Sequence, residues 1–264
     1  LNKGWIYMNI LITAGGTTEQ IDRVRSITNT STGMLGSLIA RAFEKIEDTD
    51  KIYYLCGKKA IVPQIEKAEI IYIDTVESLE SALKKLTGEI SFDVIIHSMA
   101  VSDYRVKSVT SATLLAETIK TKINARPDNT QQLTDEFAYS LVTAPETLLK
   151  EDGKISSSID DLILYMEKTP KIIALFQTLT PNATLIGFKL LDHVSMETLI
   201  DTAYKLLQVN KCSLVLANDL SEITREQHIG YLVDENKNYT RFTTKAEIAD
   251  AIAATAIQKR RNTR

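Results

Sequence analysis

A doubly wound α/β fold, with a mostly parallel sheet covered by helices on both faces, is what this sequence predicts, and three observations predict it. Apolar runs of strand length alternate with segments of helical spacing along most of the chain. A stretch rich in glycine and hydroxyl residues follows the first apolar run and leads into the first helix. Near the end, two short runs joined by a polar DENK turn read as a hairpin at one edge of the sheet. Parallel strands in succession require right-handed helical crossovers, and these place helices on both faces.

In chain order, Asn9 to Thr13 reads as a short buried strand, Gly33 to Lys45 as a helix and Ile52 to Cys56 as the next strand. Ile70 to Ile73 (strand), Val76 to Leu86 (helix) and Val94 to Ser98 (strand) continue the alternation. After a break it resumes with Thr184 to Phe188 (strand), Met196 to Gln208 (helix) and Ser213 to Ala217 (strand). The edge hairpin is Ile229 to Val233 with Asn238 to Phe242, and an Ala-rich helix over Thr244 to Gln258 follows, with Thr243 or Thr244 as its cap. Residues 1–8 read as an extension ahead of the first strand. The break, Arg105 to Gly153, is polar, Thr-rich and only patchily periodic, too long for an ordinary connection. We expect one α/β domain over 1–264, with 105–153 inserted as an arm that builds a homodimer.

The 264 residues carry a formal charge of −3 and are 44% hydrophobic, a composition that excludes disordered, collagenous and disulfide-built chains. Cys56 and Cys212 are far apart and lack a CxxC partner, so they read as reduced core residues in a cytoplasmic protein. His97, His193 and His228 show no metal-ligand spacing, and no protein-built metal site is expected. His97, at a strand end, reads as a hydrogen-bonded structural histidine. The mild acidity argues against nucleic acid, the absence of a long apolar run against a membrane span, and Lys259-Arg260-Arg261 reads as a solvated tail.

The first strand runs into Thr13-Ala14-Gly15-Gly16-Thr17-Thr18, and the helix begins after Asn29-Thr30-Ser31-Thr32-Gly33-Met34-Leu35-Gly36. Paired glycines let a phosphate approach the backbone, Ser31 and Thr32 offer hydroxyl donors, and helix amides beyond Gly33 favour an anion. Taken alone, the same residues serve equally well as turns and caps. A dinucleotide fingerprint would need GxGxxG directly between strand and helix and an acid ending the second strand. Neither is present, although Lys58 and Lys59 after the second strand keep an NADP-dependent reductase as a rival reading. Asp103 follows the strand Val94 to Ser98, at the carboxyl edge where such sheets bind ligands.

Several segments together resemble one family, the phosphopantothenoylcysteine synthetases: LITAGGTTEQIDRVRSITNTSTGMLG at 11–36, MAVSDY at 99–104, KISS at 154–157, KTPKI around Pro170, GFK at 187–189 and LANDL at 216–220. The resemblance covers most of the chain and implies a Rossmann-like ligase that joins 4′-phosphopantothenate to L-cysteine. A nucleoside triphosphate, with Mg²⁺, activates the pantothenate carboxylate as an acyl-nucleotidylate, and the cysteine amine displaces the monophosphate. By resemblance, Gly15, Ser31, Gly33 and Gly36 line the triphosphate, and Phe188 and Asn218 border the nucleoside. Asn29 contacts the acyl-nucleotide, Ala100 and Asp103 touch phosphopantothenate, Lys154 serves activation, and Arg25 reaches the substrate of a neighbouring subunit in a homodimer.

The chain departs from the family pattern at Met99, at Met34 and Leu35, and at Ser156 and Ser157. KISS and the long insertion lean toward the ATP-using form, while the compact loop before Asn29 and LANDL lean toward the CTP-using form, which is the one expected. The length leaves no room for the flavin-dependent decarboxylase domain of many bacterial members, so a stand-alone synthetase is expected. A non-catalytic nucleotide-binding regulator is the remaining alternative.

Overall fold

The structure is a computed structural model and describes residues 7–125, 134–143, 145, 148–149, 153–224 and 227–262. In chain order the elements are β1 (Met8–Ala14), β2 (Thr18–Gln20), β3 (Ser26–Thr28), α1 (Met34–Glu44), β4 (Thr49–Gly57), β5 (Ala68–Ile73), α2 (Val76–Glu89), β6 (Val94–His97), β7 (Tyr104–Ser111) and α3 (Ala112–Asn124). They continue with α4 (Asp135–Thr143), β8 (Leu162–Lys168), α5 (Ile172–Leu179), β9 (Thr184–Leu191), α6 (Met196–Asn210), β10 (Leu214–Asp219), β11 (Gly230–Val233), β12 (Tyr239–Phe242) and α7 (Lys245–Asn262).

Where the sequence leads us to expect one domain, the contacts divide the chain into two compact units. The first comprises residues 1–17, 29–101 and 171–264, the second residues 18–28 and 102–170. The main sheet lies in the first unit, in the order β12-β11-β10-β9-β6-β1-β4-β5, with the pairs from β10 to β5 parallel and those to β11 and β12 antiparallel. The six parallel strands thus follow the doubly wound order 3-2-1-4-5-6, and the chain switches direction between β1 and β6.

Alternation along β1 sorts its side chains onto two cores. Ile10 and Ile12, with Ile52, Tyr54 and Ile96, face α1 and α7, while Leu11, with Leu55 and Ile95, faces α2, α5 and α6. Helix α2 starts at a capping box in which Thr75 and Ser78 satisfy each other's backbone N–H groups. The basic run expected as a solvated tail ends α7 with each side chain ion-paired, Arg260 shielded and Arg261 still largely exposed. Arg260 meets the buried Asp93 (Nη2···Oδ1 2.9 Å) and donates to the Asn182 carbonyl, Lys259 meets Glu235 at 2.5 Å, and Arg261 meets Asp48. Asp93 also accepts from the Asn9 N–H, so this pair ties the last helix to the entry of the sheet.

In the second unit β7 pairs with β8 antiparallel, and β2 with β3. The expected insertion at 105–153 therefore begins as a strand, carries α3 and α4, and has its pairing partner β8 beyond its expected end. Residues 126–133, 144, 146–147 and 150–152 of that segment lie outside the described residues. Helix α5 and strands β2, β3 and β8 have no counterpart in the sequence reading. The three-residue strands are too short for a periodic signal, and α5, at eight residues, is too short for a clear helical one.

Candidate active site

In the first unit the switch point lies at the carboxyl ends of β1 and β6, where an α/β sheet of this order binds ligands. Beyond Ala14 the chain continues pairing: the Ala100 N–H donates to the Gly15 carbonyl at 2.8 Å, and the Thr17 N–H to the Ala100 carbonyl at 3.1 Å. Gly15 and Gly33 hold φ of +78° and +72°, backbone that disfavours any side chain. A Cβ on Gly16 would stand 2.0 Å from the Asn29 carbonyl oxygen, and one on Gly36 would stand 2.6 Å from the Ala14 Cβ. The glycines thus let the end of β1, the Asn29 segment and the start of α1 close on one another. Asn29 is held there by its N–H, which donates to the Thr17 carbonyl at 3.2 Å.

Helix α1 begins from Gly33, which supplies no side-chain cap. Its first amides carry the partial positive charge of a helix N-terminus, and the Met34 N–H donates to Thr32 Oγ1 at 3.3 Å. Tyr54 lies beneath, donating to the carbonyls of Gly33 (3.2 Å) and Ile61 (3.0 Å); burial pushes its phenol well above the usual range. The Thr32 carbonyl accepts from the Ile61 N–H, which brings the 57–61 loop against Gly15 and Gly33. Gly15, Ser31, Gly33, Gly36, Asn29 and Ala100 are thereby drawn into one neighbourhood.

Phe188 sits within β9, three residues before its end at Leu191, not at the strand end expected. Its backbone is in register with Leu216, so Phe188 and Asn218 share the sheet face toward α1 and α7. Asn218 is buried, and its Nδ2 donates to the Ile229 carbonyl at 2.6 Å, so half of this amide holds the turn into β11. His97 is buried with its Nδ1 bonded to Thr13 Oγ1 at 2.8 Å and its ring edge-on to Phe176; burial lowers its pKa to about 4, leaving it neutral. Burial also pushes the thiols of Cys56 and Cys212 up to about 11 and about 12. Lys58 is paired with Asp74 at 2.6 Å, which commits one of the two lysines that an NADP reading relies on.

In the second unit the remaining residues gather around two points. Arg25 closes the β2–β3 turn and is bound by Asp22, a fully shielded carboxylate that also accepts from the Ile155 N–H at 3.1 Å. Lys154, exposed, is the residue before Ile155. Asp103 is exposed, and its carbonyl accepts from the Thr169 N–H at 3.0 Å, while Thr169 Oγ1 donates to the Ser102 carbonyl at 2.5 Å. The sequence marks Gly16 as one of the paired glycines but not its approach to Asn29, and it does not mark Asp22 at all. The doubled glycine and the IDRVR turn were the available signals, and neither says what it touches. Among the described residues no group of three His, Cys, Asp or Glu is placed to hold a metal ion, and no helix is long and apolar enough to cross a membrane.

A glycine-lined turn at the switch point of a doubly wound sheet, beside a helix N-terminus, defines the class: a Rossmann-like α/β protein with the backbone arrangement at which such sheets commonly take phosphate groups. The chain belongs to the family described as DNA/pantothenate metabolism flavoprotein C-terminal domain, whose profile matches residues 5–140 and 145–259. It is 32% identical over 245 residues to the coenzyme A biosynthesis bifunctional protein CoaBC of Thermococcus kodakarensis, covering 92% of this chain and 49% of that protein. The CoaBC of Methanocaldococcus jannaschii is 26% identical over 222 residues, 81% of this chain and 41% of the relative. The chain therefore spans about half the length of these relatives. The crystal structure of the DNA/pantothenate metabolism flavoprotein from Streptococcus pneumoniae superposes with a TM-score of 0.74 at 34% identity, covering 96% of this chain and 99% of that one.

Proposed function

We propose that this chain is a phosphopantothenate–cysteine ligase working through an acyl-nucleotidylate. The observation that carries the reading is the close approach of Gly15, Gly16, Asn29 and Gly33 at the switch point, supported by the chain's membership of a pantothenate-metabolism family. The chemistry asks for charge neutralisation and alignment more than for a protein nucleophile. The neutral His97 and the buried, high-pKa thiols are consistent with that demand.

On this reading the triphosphate lies along the Gly15 turn and the first amides of α1, with Ser31 and Gly36 beside it. The phosphopantothenate carboxylate attacks the α-phosphorus, the bond to the β-phosphate oxygen breaks and pyrophosphate leaves. The cysteine amine then attacks the acyl carbon, and the nucleoside monophosphate departs with the bonding pair of the C–O bond. Lys154 offsets the charge that builds as carboxylate meets phosphate, Asn29 holds the mixed anhydride in line, and Ala100, Asp103 and Arg25 orient phosphopantothenate. Mg²⁺ would ride on the phosphate oxygens and water, the manner in which it is usually bound with nucleotides, since the described residues offer no cage for it. CTP is the proposed nucleotide, with Phe188 and Asn218 at the base. A homodimer with Arg25 reaching the partner's substrate completes the proposal.

The test is incubation of the protein with 4′-phosphopantothenate, cysteine, Mg²⁺ and either CTP or ATP, following pyrophosphate and the amide product. Pyrophosphate and product in equal amounts support the ligase, and a higher kcat/KM with ATP would overturn the choice of CTP. NADPH oxidation without pyrophosphate would instead support the reductase, and nucleotide binding without turnover the regulator.

A further inference from the structure

The Asp22 carboxylate lies in the turn between β2 and β3 with its side chain wholly out of solvent, and it accepts five hydrogen bonds. Oδ1 takes the N–H groups of Val24 and Arg25, both at 2.8 Å. Oδ2 takes Arg25 Nε at 2.9 Å, Arg25 Nη2 at 2.6 Å and the Ile155 N–H at 3.1 Å. Arg25 Nη2 also donates to the Ile155 carbonyl at 2.9 Å, closing a ring of bonds across 130 residues of chain. A buried carboxylate is tolerated only when paired and fully bonded, and here the guanidinium beside it holds its pKa well below the usual range.

Two consequences follow for the residues around it. The Arg25 guanidinium is held by one edge, while the side chain stays 40% exposed. Ile155 has both its N–H and its carbonyl fixed and its side chain buried, so the backbone immediately after Lys154 has a set position and direction. With every lone pair engaged by a donor, Asp22 itself is poorly suited to act as a base or nucleophile.

We propose that Asp22 is a positioning residue of the ligase, a single carboxylate that sets the Arg25 guanidinium and the Lys154 backbone in one common frame. This rests on the ligase reading. Asparagine is not an equivalent substitute: both carboxylate oxygens face N–H donors, so an NH₂ group in either place meets donor with donor. Losing Asp22 therefore disturbs phosphopantothenate binding, through Arg25, and acyl-nucleotidylate formation, through Lys154, together.

The experiment compares wild type, Asp22→Asn and Arg25→Lys in single-turnover pyrophosphate release without cysteine, across a range of 4′-phosphopantothenate, with circular dichroism reporting the folded fraction. Folded Asp22→Asn should show a raised KM for phosphopantothenate and a slower saturated rate, each of the order of 10-fold to 100-fold, as misplacement by about an ångström produces. Its KM for cysteine in the full reaction should stay at the wild-type value. A merely structural Asp22 would lower the melting temperature and the folded fraction while leaving the KM of the folded enzyme unchanged, and that result overturns the proposal. Should Asp22→Asn not fold, Arg25→Lys decides, because an ammonium cannot reproduce the fork that bridges Asp22 and Ile155. A slower pyrophosphate step at saturating phosphopantothenate supports the proposal, and an unchanged one overturns it. Wild-type protein that releases no pyrophosphate with CTP or ATP sinks the ligase reading and the proposal with it; active wild type beside an unperturbed Asp22→Asn sinks the proposal alone.

Discussion

Replacing Gly16 by alanine presses on the contact that joins the end of β1 to Asn29. The added Cβ would lie 2.0 Å from the Asn29 carbonyl oxygen, and real Cβ contacts begin at 3.0 Å, so this carbonyl must retreat by at least 3.0 − 2.0 = 1.0 Å. The retreat strains the Asn29 N–H bond to the Thr17 carbonyl, already 3.2 Å long. Overpacking of this kind costs about 1–3 kcal/mol, which in a chain of this size lowers the melting temperature by roughly 2–4 °C per kcal/mol. The effect on the reaction should be larger, about 100-fold in rate, because a positioning group displaced by about an ångström loses its alignment. Gly88→Ala is the control: nothing lies within 4 Å of its Cβ, and in α2 it should gain about 0.5–1 kcal/mol without touching activity. Thermal melts and single-turnover pyrophosphate release on both variants check the argument. If Gly16→Ala matched Gly88→Ala in melt and in rate, the coupling of Gly16 to Asn29 would be refuted.

Three further outcomes are expected. Lys154→Gln should slow pyrophosphate release by about 100-fold or more, the usual cost of losing a transition-state charge partner, whereas Asn29→Asp should release some pyrophosphate but make little product; quenched-flow detection of intermediate accumulating in the Lys154 variant would reverse the assignment. His97 is neutral when folded, with a pKa of about 4 against an ordinary 6.5, so its contribution to stability is fully present above 6.5 and lost as pH falls through 4. That loss amounts to about 2 kcal/mol by pH 5; urea titrations should show His97→Gln with a shallower decline between pH 6.5 and 4, and an unchanged slope would count against it. Arg260→Met leaves Asp93 without its guanidinium and should cost about 3 kcal/mol, read as a lower urea midpoint; an unchanged midpoint would place α7 outside the cooperative core.

The alternation of apolar runs was enough to determine the doubly wound sheet, because side-chain period and segment length are local properties that every strand and helix of the main sheet must satisfy. The glycines beside hydroxyls at the helix start were legible as either turn residues or an anion site, and it was the resemblance carried by the 11–36 segment that marked Gly15, Gly33 and Asn29 as site residues. What lay beyond the sequence was contact between distant segments. Nothing in the sequence pairs Asp22 with Ile155, or Arg260 with Asp93, because such bonds depend on how the chain returns to itself after more than a hundred residues. Phe188 shows the same limit on a smaller scale: its strand runs on to Leu191 because β10 continues to bond it, a gain that local periodicity does not register. The second unit escaped the sequence reading for a related reason, since β7 is completed only by β8, across two helices whose apolar pattern is weak, and such pairing is decided by long-range hydrogen bonding and burial.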